Sequence, residues 1–377
     1  MQPLTTLLMT LTMCLALCGT TQGEDGVRFM TFNIQDLRPE AVFAKREQVR
    51  ESVAIIRASG ASVVLVNEMA HTPDGRHCAH FAQMLGEGTD HTWSYLAMPS
   101  NTGEHAGMDF DNNGASSADD EGRDYGGDCY GYGEFPGHYA MALFVRSDVQ
   151  VDWEGVRTLR KVLWKDMPGA MLPPMDGDGN GSWYSDEELG VFRLSSKSHW
   201  DVPVVLADGQ RVHLLCSHPT PPGFDGDEDR NGRRNHDEIR LWLDYIDGAE
   251  WIVDDAGARG GLAPGASFIV MGDLNADPVD GSSRDSPAAK LLAHPRVNGD
   301  FAPTSEVPGT SRRRVAWDGT DTAVWGLRVG YAQPSADLRV LDGGVIRGDK
   351  DLPGTLPDGF SASDHFPVWV EIAFEGP

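Results

Sequence analysis

SFIVMGDLNADP, residues 267–278, is an apolar run that stops at an aspartate. Its first seven residues read as a strand ending in Asp273, with Asn275 just beyond. Alone, an acid or amide after a strand is a turn former. This chain repeats the arrangement. The run VRFMTFN (27–33) ends in Asn33, VVLVNE (63–68) ends in Glu68, and FPVWVEI (366–372) follows Asp364 and His365. VHLLCSH (212–218) ends in His218. A carboxylate can hold a hard divalent ion, an amide can orient water or phosphate, and a histidine can shuttle a proton or donate to an oxyanion. One mouth lined by these groups suits hydrolysis of a phosphoester.

Outward from these runs, further strands are expected at 141–147, 202–207 and 326–332, and helices at 44–58, 236–254 and 287–293, where apolar residues fall near helical spacing. There is no fixed-period repeat and no linker. Mixed α/β order of this kind requires helices that cover sheet faces. Gly- and Asp-rich stretches near 99–137 and 166–190 read as long surface insertions in a single domain over 24–377.

With 377 residues, 40% hydrophobic and 23% charged, the chain is long enough for a sizeable core. Residues 1–23 resemble a secretory signal: an apolar run from Leu4 to Leu17 precedes small and polar residues, although no Lys or Arg comes before it. The protein is therefore expected to be secreted or periplasmic, and no other stretch could span a membrane. Beyond the signal lie Cys78, Cys129 and Cys216. An oxidising compartment favours a Cys78–Cys129 bridge with Cys216 buried and free; three free thiols is the alternative, since two suitable cysteines do not establish the geometry. The formal charge of −26 should repel a polyanion, but the acids cluster at 108–128, 176–188 and 225–237, where divalent cations could neutralise them. Charge alone thus leaves a phosphate substrate open.

MTFNIQ, VVLVNEMA, HLLCSHPTPP, IVMGDLNADP and SASDHFPVWV, in this order, resemble the endonuclease/exonuclease/phosphatase superfamily with its deoxyribonuclease I-like fold, and LWKDMPGAMLPP, LSSKSHWDVPV and FDGDEDRNGRRNHDEIR resemble its large secreted bacterial branch. The resemblance implies a four-layer α/β sandwich: two mostly antiparallel β-sheets packed face to face, with helices outside. It also implies roles. Glu68 would ligate Mg²⁺ or Mn²⁺, helped by Asn33 and Gln35. Asp273 would orient or deprotonate the attacking water, Asn275 would bind the phosphate, and Asp364 would position metal or water. His218 and His365 would bond phosphate oxygens. Lys197, His199 and Arg234 are candidates for added positive potential at the mouth, with solvated loops as the alternative.

One position departs from the family pattern. The strand that usually carries an acid to hold the SDH imidazole reads LRVGYAQPS here, with Gly330 at that place. Either Asp337 or another acid substitutes, or catalysis is weakened, or the protein no longer turns over.

Three acidic runs also match a calcium-loop template: Asp109–Asp111–Asn113–Gly114 with Asp120, Asp176–Asp178–Asn180–Gly181 with Glu187, and Asp227–Asp229–Asn231–Gly232 with Glu238. The middle loop is the favoured structural Ca²⁺ site, with Asp/Gly-rich solvent loops the alternative. The expectation is an exported, monomeric, divalent-metal-dependent phosphoesterase acting on nucleic acid, nucleotide or organic phosphate. Its rival is an impaired relative that binds calcium or a phospholigand.

Overall fold

The computed structural model describes residues 26–116, 121–176, 179–311, 315–352 and 362–373. The expected signal segment, Asp120 and Asp178 lie outside the described residues.

In chain order the strands are β1 (Gly26–Leu37), β2 (Val63–Met69), β3 (Trp93–Leu96), β4 (Met141–Arg146), β5 (Gln150–Val151), β6 (Arg157–Thr158), β7 (His199–Val205), β8 (Arg211–Ser217), β9 (Ser267–Asp273), β10 (Gly330–Pro334), β11 (Val340–Val345) and β12 (Val368–Ala373). The helices are α1 (Pro39–Phe43), α2 (Glu47–Ser59), α3 (Arg76–Gly86), α4 (Arg123–Gly127), α5 (Asp186–Leu189), α6 (Arg230–Ile246) and α7 (Pro287–Leu292). One six-stranded sheet runs β11-β12-β1-β2-β4-β3; the other runs β10-β9-β8-β7-β5, with β6 also paired to β7. The β1–β2 and β8–β9 pairs are parallel and the remaining pairs antiparallel.

Period-two alternation builds the layers, because successive side chains leave a strand on opposite faces. Phe29, Leu65, Leu143 and Val370 of the first sheet meet Val202, Leu214, Ile269 and Met271 of the second in one inner core. Met30, Phe32, Val64 and Phe144 turn outward under Val53, Ile56, Phe81 and Leu85 of α2 and α3. Leu215, Phe268, Val270 and Tyr331 do the same under Ile239, Trp242, Ile246 and Leu291 of α6 and α7. The result is helix, sheet, sheet, helix, as the motifs implied.

Strand β9 has the expected bounds, but other elements differ. The helix expected over 44–58 is α2, at Glu47–Ser59; α1, which Pro39 starts, precedes that range and is separated from α2 by Lys45 at φ +46°. The helix expected at 236–254 begins earlier, at Arg230, and ends at Ile246, where Gly248 takes φ +76°. The strand expected at 326–332 is displaced to Gly330–Pro334. Short β3, β5, β6 and β11 and helices α1, α3, α4 and α5 were not anticipated. Cys78, Cys129 and Cys216 are all free and buried, so the expected bridge is absent. Cys78 belongs to the core beneath α3, whereas Cys129 sits in the first insertion with its thiol donated to the Tyr125 carbonyl.

That insertion lies against the second sheet's end. The Asn101 N–H bonds the Lys197 carbonyl at 2.8 Å, and its side-chain amide bonds the Ser195 and Arg160 carbonyls at 2.7 and 2.8 Å. Gly131 permits the approach, since a Cβ there would fall 1.7 Å from the Ser196 carbonyl oxygen.

Candidate functional site

At one end of the sandwich the two sheets are stitched by buried polar groups. Gly272 N–H donates to Thr31 Oγ1 at 3.1 Å, and Asp273 N–H to Asn67 Oδ1 at 3.2 Å. Asn67 precedes Glu68 in β2, and strand parity turns it to the inner face.

This stitching converges the strand ends. Asn33 Nδ2 donates to Glu68 Oε1 and to Asp273 Oδ2, each at 2.9 Å, although the two acids belong to different sheets. Asn33 Oδ1 is taken by the Gln35 N–H at 2.9 Å, so its amide orders the carboxylates and does not turn its oxygen toward them. Glu68 Oε2 accepts Asp36 N–H. His218 Nε2 and His365 Nε2 approach the same Asp273 oxygen at 3.5 and 3.6 Å. Asp364 Oδ1 is 3.9 Å from His365 Nε2, and Gln35 Nε2 donates to Asp364 Oδ2 at 3.2 Å. Asn275 closes the turn after β9 by bonding Asp273 Oδ1 and the Pro219 carbonyl. Gln35, Asp36, Glu68 and Asn275 all adopt positive φ, between 45° and 64°. Left-handed backbone at four non-glycine positions around one mouth is strain of the kind found at working sites.

The donor set fits a divalent cation. Ligand atoms of Glu68, His218 and Asp273 lie within 4.8 Å of one another. Two carboxylates facing one another with a single amide between them repel until a cation joins them. Such an ion would be held by Glu68 and Asp273.

Lys197 is buried beside this group, its ammonium on the Pro219 carbonyl at 3.4 Å. Burial pushes its pKa down, against the pull of Glu238, Glu68 and Asp273. Burial, helped by Lys197 and His365, holds His218 well below the ordinary imidazole value, so it is neutral at pH 7. Tyr139, unnoticed in the sequence, adds a half-buried phenol pushed up to about 12 by burial and by the Asp36 and Glu68 charges.

His199 and Arg234 do not reach the mouth. His199 opens β7 facing α6, where its ring nitrogens meet Ser195 Oγ at 2.8 Å and the Glu238 carbonyl at 2.9 Å. The Arg234 guanidinium is spent on the Leu194, Arg193 and Tyr130 carbonyls. Both tie the insertion and its neighbours to α6. Of the middle calcium loop, Asp176 accepts the Asn180 N–H at 3.0 Å and Glu187 lies in the first turn of α5, while Asp178 lies outside the described residues.

The imidazole of His365 has no acid behind it among the described residues. Its Nδ1 is buried without a partner, as is that of His218. Asp337 is bonded to Ser267 at the opposite end of β9, roughly 20 Å along the strand from Asp273. It is not the substitute. Thr322 stands where the acid would enter, its hydroxyl accepting the Val329 and Gly330 N–H groups at 2.8 Å each. The His365 ring is held instead by Trp325, edge-on at 4.9 Å between centroids.

His199 gives a pH prediction away from the mouth. Burial lowers its pKa from 6.5 to about 4. An imidazole depressed in the folded state leaves stability intact above its unfolded pKa and removes it as pH falls through the folded one. Stability should therefore drop by roughly 3 kcal/mol between about pH 6.5 and pH 4 through this residue alone. Urea midpoints across that window should slope less steeply in His199→Asn; an unchanged slope would exclude His199 as the source.

A model of the Endonuclease/Exonuclease/phosphatase family matches residues 30–365. Among solved structures, an endonuclease/exonuclease/phosphatase from Beutenbergia cavernae is 17% identical, with a TM-score of 0.50 over 93% of this chain and 72% of that one. The human Nocturnin catalytic domain is 14% identical, with a TM-score of 0.48 over 93% and 94%. The Bacteroides thetaiotaomicron mannosyl-6-phosphatase is 12% identical, with a TM-score of 0.46 over 92% and 100%. No curated protein matches the sequence.

Proposed function

Because the chain belongs to the endonuclease/exonuclease/phosphatase family, we propose that it is an exported, divalent-metal-dependent phosphoesterase that cleaves a phosphoester by attack of water. The observation that carries this reading is the Asn33 amide joined to Glu68 and Asp273 at 2.9 Å while both imidazoles turn to the same Asp273 oxygen.

A bound Mg²⁺ or Mn²⁺ would neutralise charge that develops on the phosphoryl oxygens. Glu68 and Asp273 would hold it. Asp273 also receives the proton of the attacking water as the new P–O bond forms. The ester P–O bond breaks opposite, and the departing oxygen takes a proton from solvent. His218, His365, Asn275 and the buried Lys197 line the space where the phosphate oxygens would lie and supply donors to them. Asp364, steadied by Gln35, positions His365 from the solvent side. Export rests on the N-terminal segment; among the described residues no helix is long and apolar enough to cross a membrane.

Hydrolysis of bis-p-nitrophenyl phosphate tests the reading. Activity should vanish with chelator and return with Mg²⁺ or Mn²⁺. No turnover with any divalent ion across nucleotide, nucleic acid and sugar phosphate substrates would favour the second reading, a binding protein with an impaired site. The buried, unpartnered Nδ1 of His365 is what keeps that reading alive.

The same atom yields a prediction. A Cβ at Gly330 would meet Thr322 Oγ1 at 3.4 Å and Val368 Cγ1 at 3.5 Å, ordinary contacts or nearly so. Gly330→Asp should raise kcat several-fold, because a carboxylate on the second nitrogen fixes the ring's tautomer and stabilises its protonated form. An unchanged or lower kcat in a folded variant would show that Trp325 and the surrounding packing already hold the imidazole as catalysis requires.

A further inference from the structure

The first insertion holds a second group of acids that this hydrolysis does not use. Oxygens of Asp109, Asp111 and Asp128 lie within 4.8 Å of one another. Asp109 and Asp111 come from the Asp-x-Asp-x-Asn-Gly run, while Asp128, fully buried, arrives from the end of α4. Gly127 allows that approach: a Cβ there would sit 2.3 Å from Asp111 Oδ2. The sequence template names Asp120, outside the described residues, as the closing acid; among the described residues Asp128 joins Asp109 and Asp111. Asp109 and Asp111 accept N–H groups of Asn113 and Gly114, and no lysine or arginine among the described residues pairs with either. Burial raises the Asp111 carboxyl, and the Asp128 and Asp109 charges add to it.

A separate observation points to what belongs between them. The His105 side chain is only 10% exposed, and its Nε2 is buried without a hydrogen-bond partner. Nδ1 accepts the Gly107 N–H at 2.9 Å, so in the neutral ring the proton sits on Nε2. That N–H faces Asp128 Oδ2 across 3.9 Å, too far for a hydrogen bond. A buried donor stopping short of its acceptor, beside mutually repelling carboxylates, marks a place for an ion that draws the acids together. The donors select the ion. Carboxylates and solvent are hard oxygen ligands, and the one imidazole facing the group cannot ligate through a protonated nitrogen, which disfavours zinc and copper. An irregular loop of acids suits calcium's loose six-to-eight coordination better than magnesium's octahedron.

We propose that Asp109, Asp111 and Asp128 bind a calcium ion, with His105 Nε2–H donating to the liganded Asp128 carboxylate. The ion would pin the Asp-rich run to α4, within the insertion that Asn101 fastens to Ser195 and Lys197, and so stiffen one wall of the mouth.

The proposal does not depend on catalysis and is tested without it. Chelator-stripped protein carrying Glu68→Gln, which removes the expected catalytic ion, is titrated with Ca²⁺ while Tm is followed, and with Tb³⁺ while luminescence is followed. The Tyr125 ring, 5.3 Å from that of His105, is placed to sensitise the lanthanide. Calcium should raise Tm by several degrees and displace the Tb³⁺ signal. Asp109→Asn and Asp111→Asn should each weaken calcium binding at least tenfold, and His105→Gln about tenfold. If the acid variants fail to fold, Tyr125→Phe decides: the Tb³⁺ signal should fall while the Ca²⁺ shift in Tm persists. Equal Ca²⁺ responses in folded parent, Asp109→Asn and Asp111→Asn, or no response in the parent, would overturn the site.

Discussion

Asp273→Asn should lower kcat on a generic phosphodiester by about 10² or more, and Glu68→Gln should do the same, with the fold intact in both. Asp273 is nearly inaccessible, and one of its oxygens meets Asn33, His218 and His365 at 2.9, 3.5 and 3.6 Å. An amide keeps the shape but loses the charge that attracts the cation and the basicity that takes the water's proton. The fold should not suffer, because removing one of two facing carboxylates relieves repulsion when the ion is absent. Thermal stability in chelator should therefore be unchanged or higher. Near-normal kcat in either variant would remove the proposed mechanism, whereas a loss of activity accompanied by a lower Tm would mean that structure, not chemistry, had failed.

Glu238→Ala should cost about 3–5 kcal/mol of stability and most of the activity. Its carboxylate, fully buried in α6, accepts Ser196 N–H at 2.6 Å, Ser196 Oγ at 2.9 Å and Thr220 N–H at 2.6 Å. Truncation strands these donors in the interior, and each buried orphan costs about 1–3 kcal/mol. Ser196 precedes Lys197, and Thr220 lies two residues after His218, so one side chain anchors both loops that bring these donors to the mouth. Urea denaturation should show a lower midpoint with an unchanged slope. A loss below about 1 kcal/mol would mean that water or neighbouring groups replace the acid, and the anchoring role would fall.

The two variants also separate what was legible in the chain from what was not. Asn33, Glu68, His218 and Asp273 stand where a short apolar run stops and His365 where one begins, and such runs are local patterns. Glu238 was read only as the closing acid of a calcium loop. Nothing near it in sequence says that Ser196 and Thr220 will wait beneath α6, since that pairing exists only after the helix docks on the second sheet. The same limit explains Lys197, His199 and Arg234. Their side chains look alike as candidates in two polar stretches, and packing buries Lys197 beside the mouth while turning the other two inward.

The sequence by itself determined the mixed α/β order and the set of polar strand ends, because local periodicity and strand termination depend on residues within a few positions of one another, whereas the four-layer sandwich was implied only by the resemblance of the motifs to the family. Only the tertiary structure decided that Asp337 lies at the wrong end of β9, that His365 rests on Trp325 instead of an acid, that Cys78 and Cys129 stay apart, and that Asp128 joins Asp109 and Asp111. Each of these is a meeting of segments distant in the chain, set by which faces pack together and how closely, and spacing along a sequence carries no record of it.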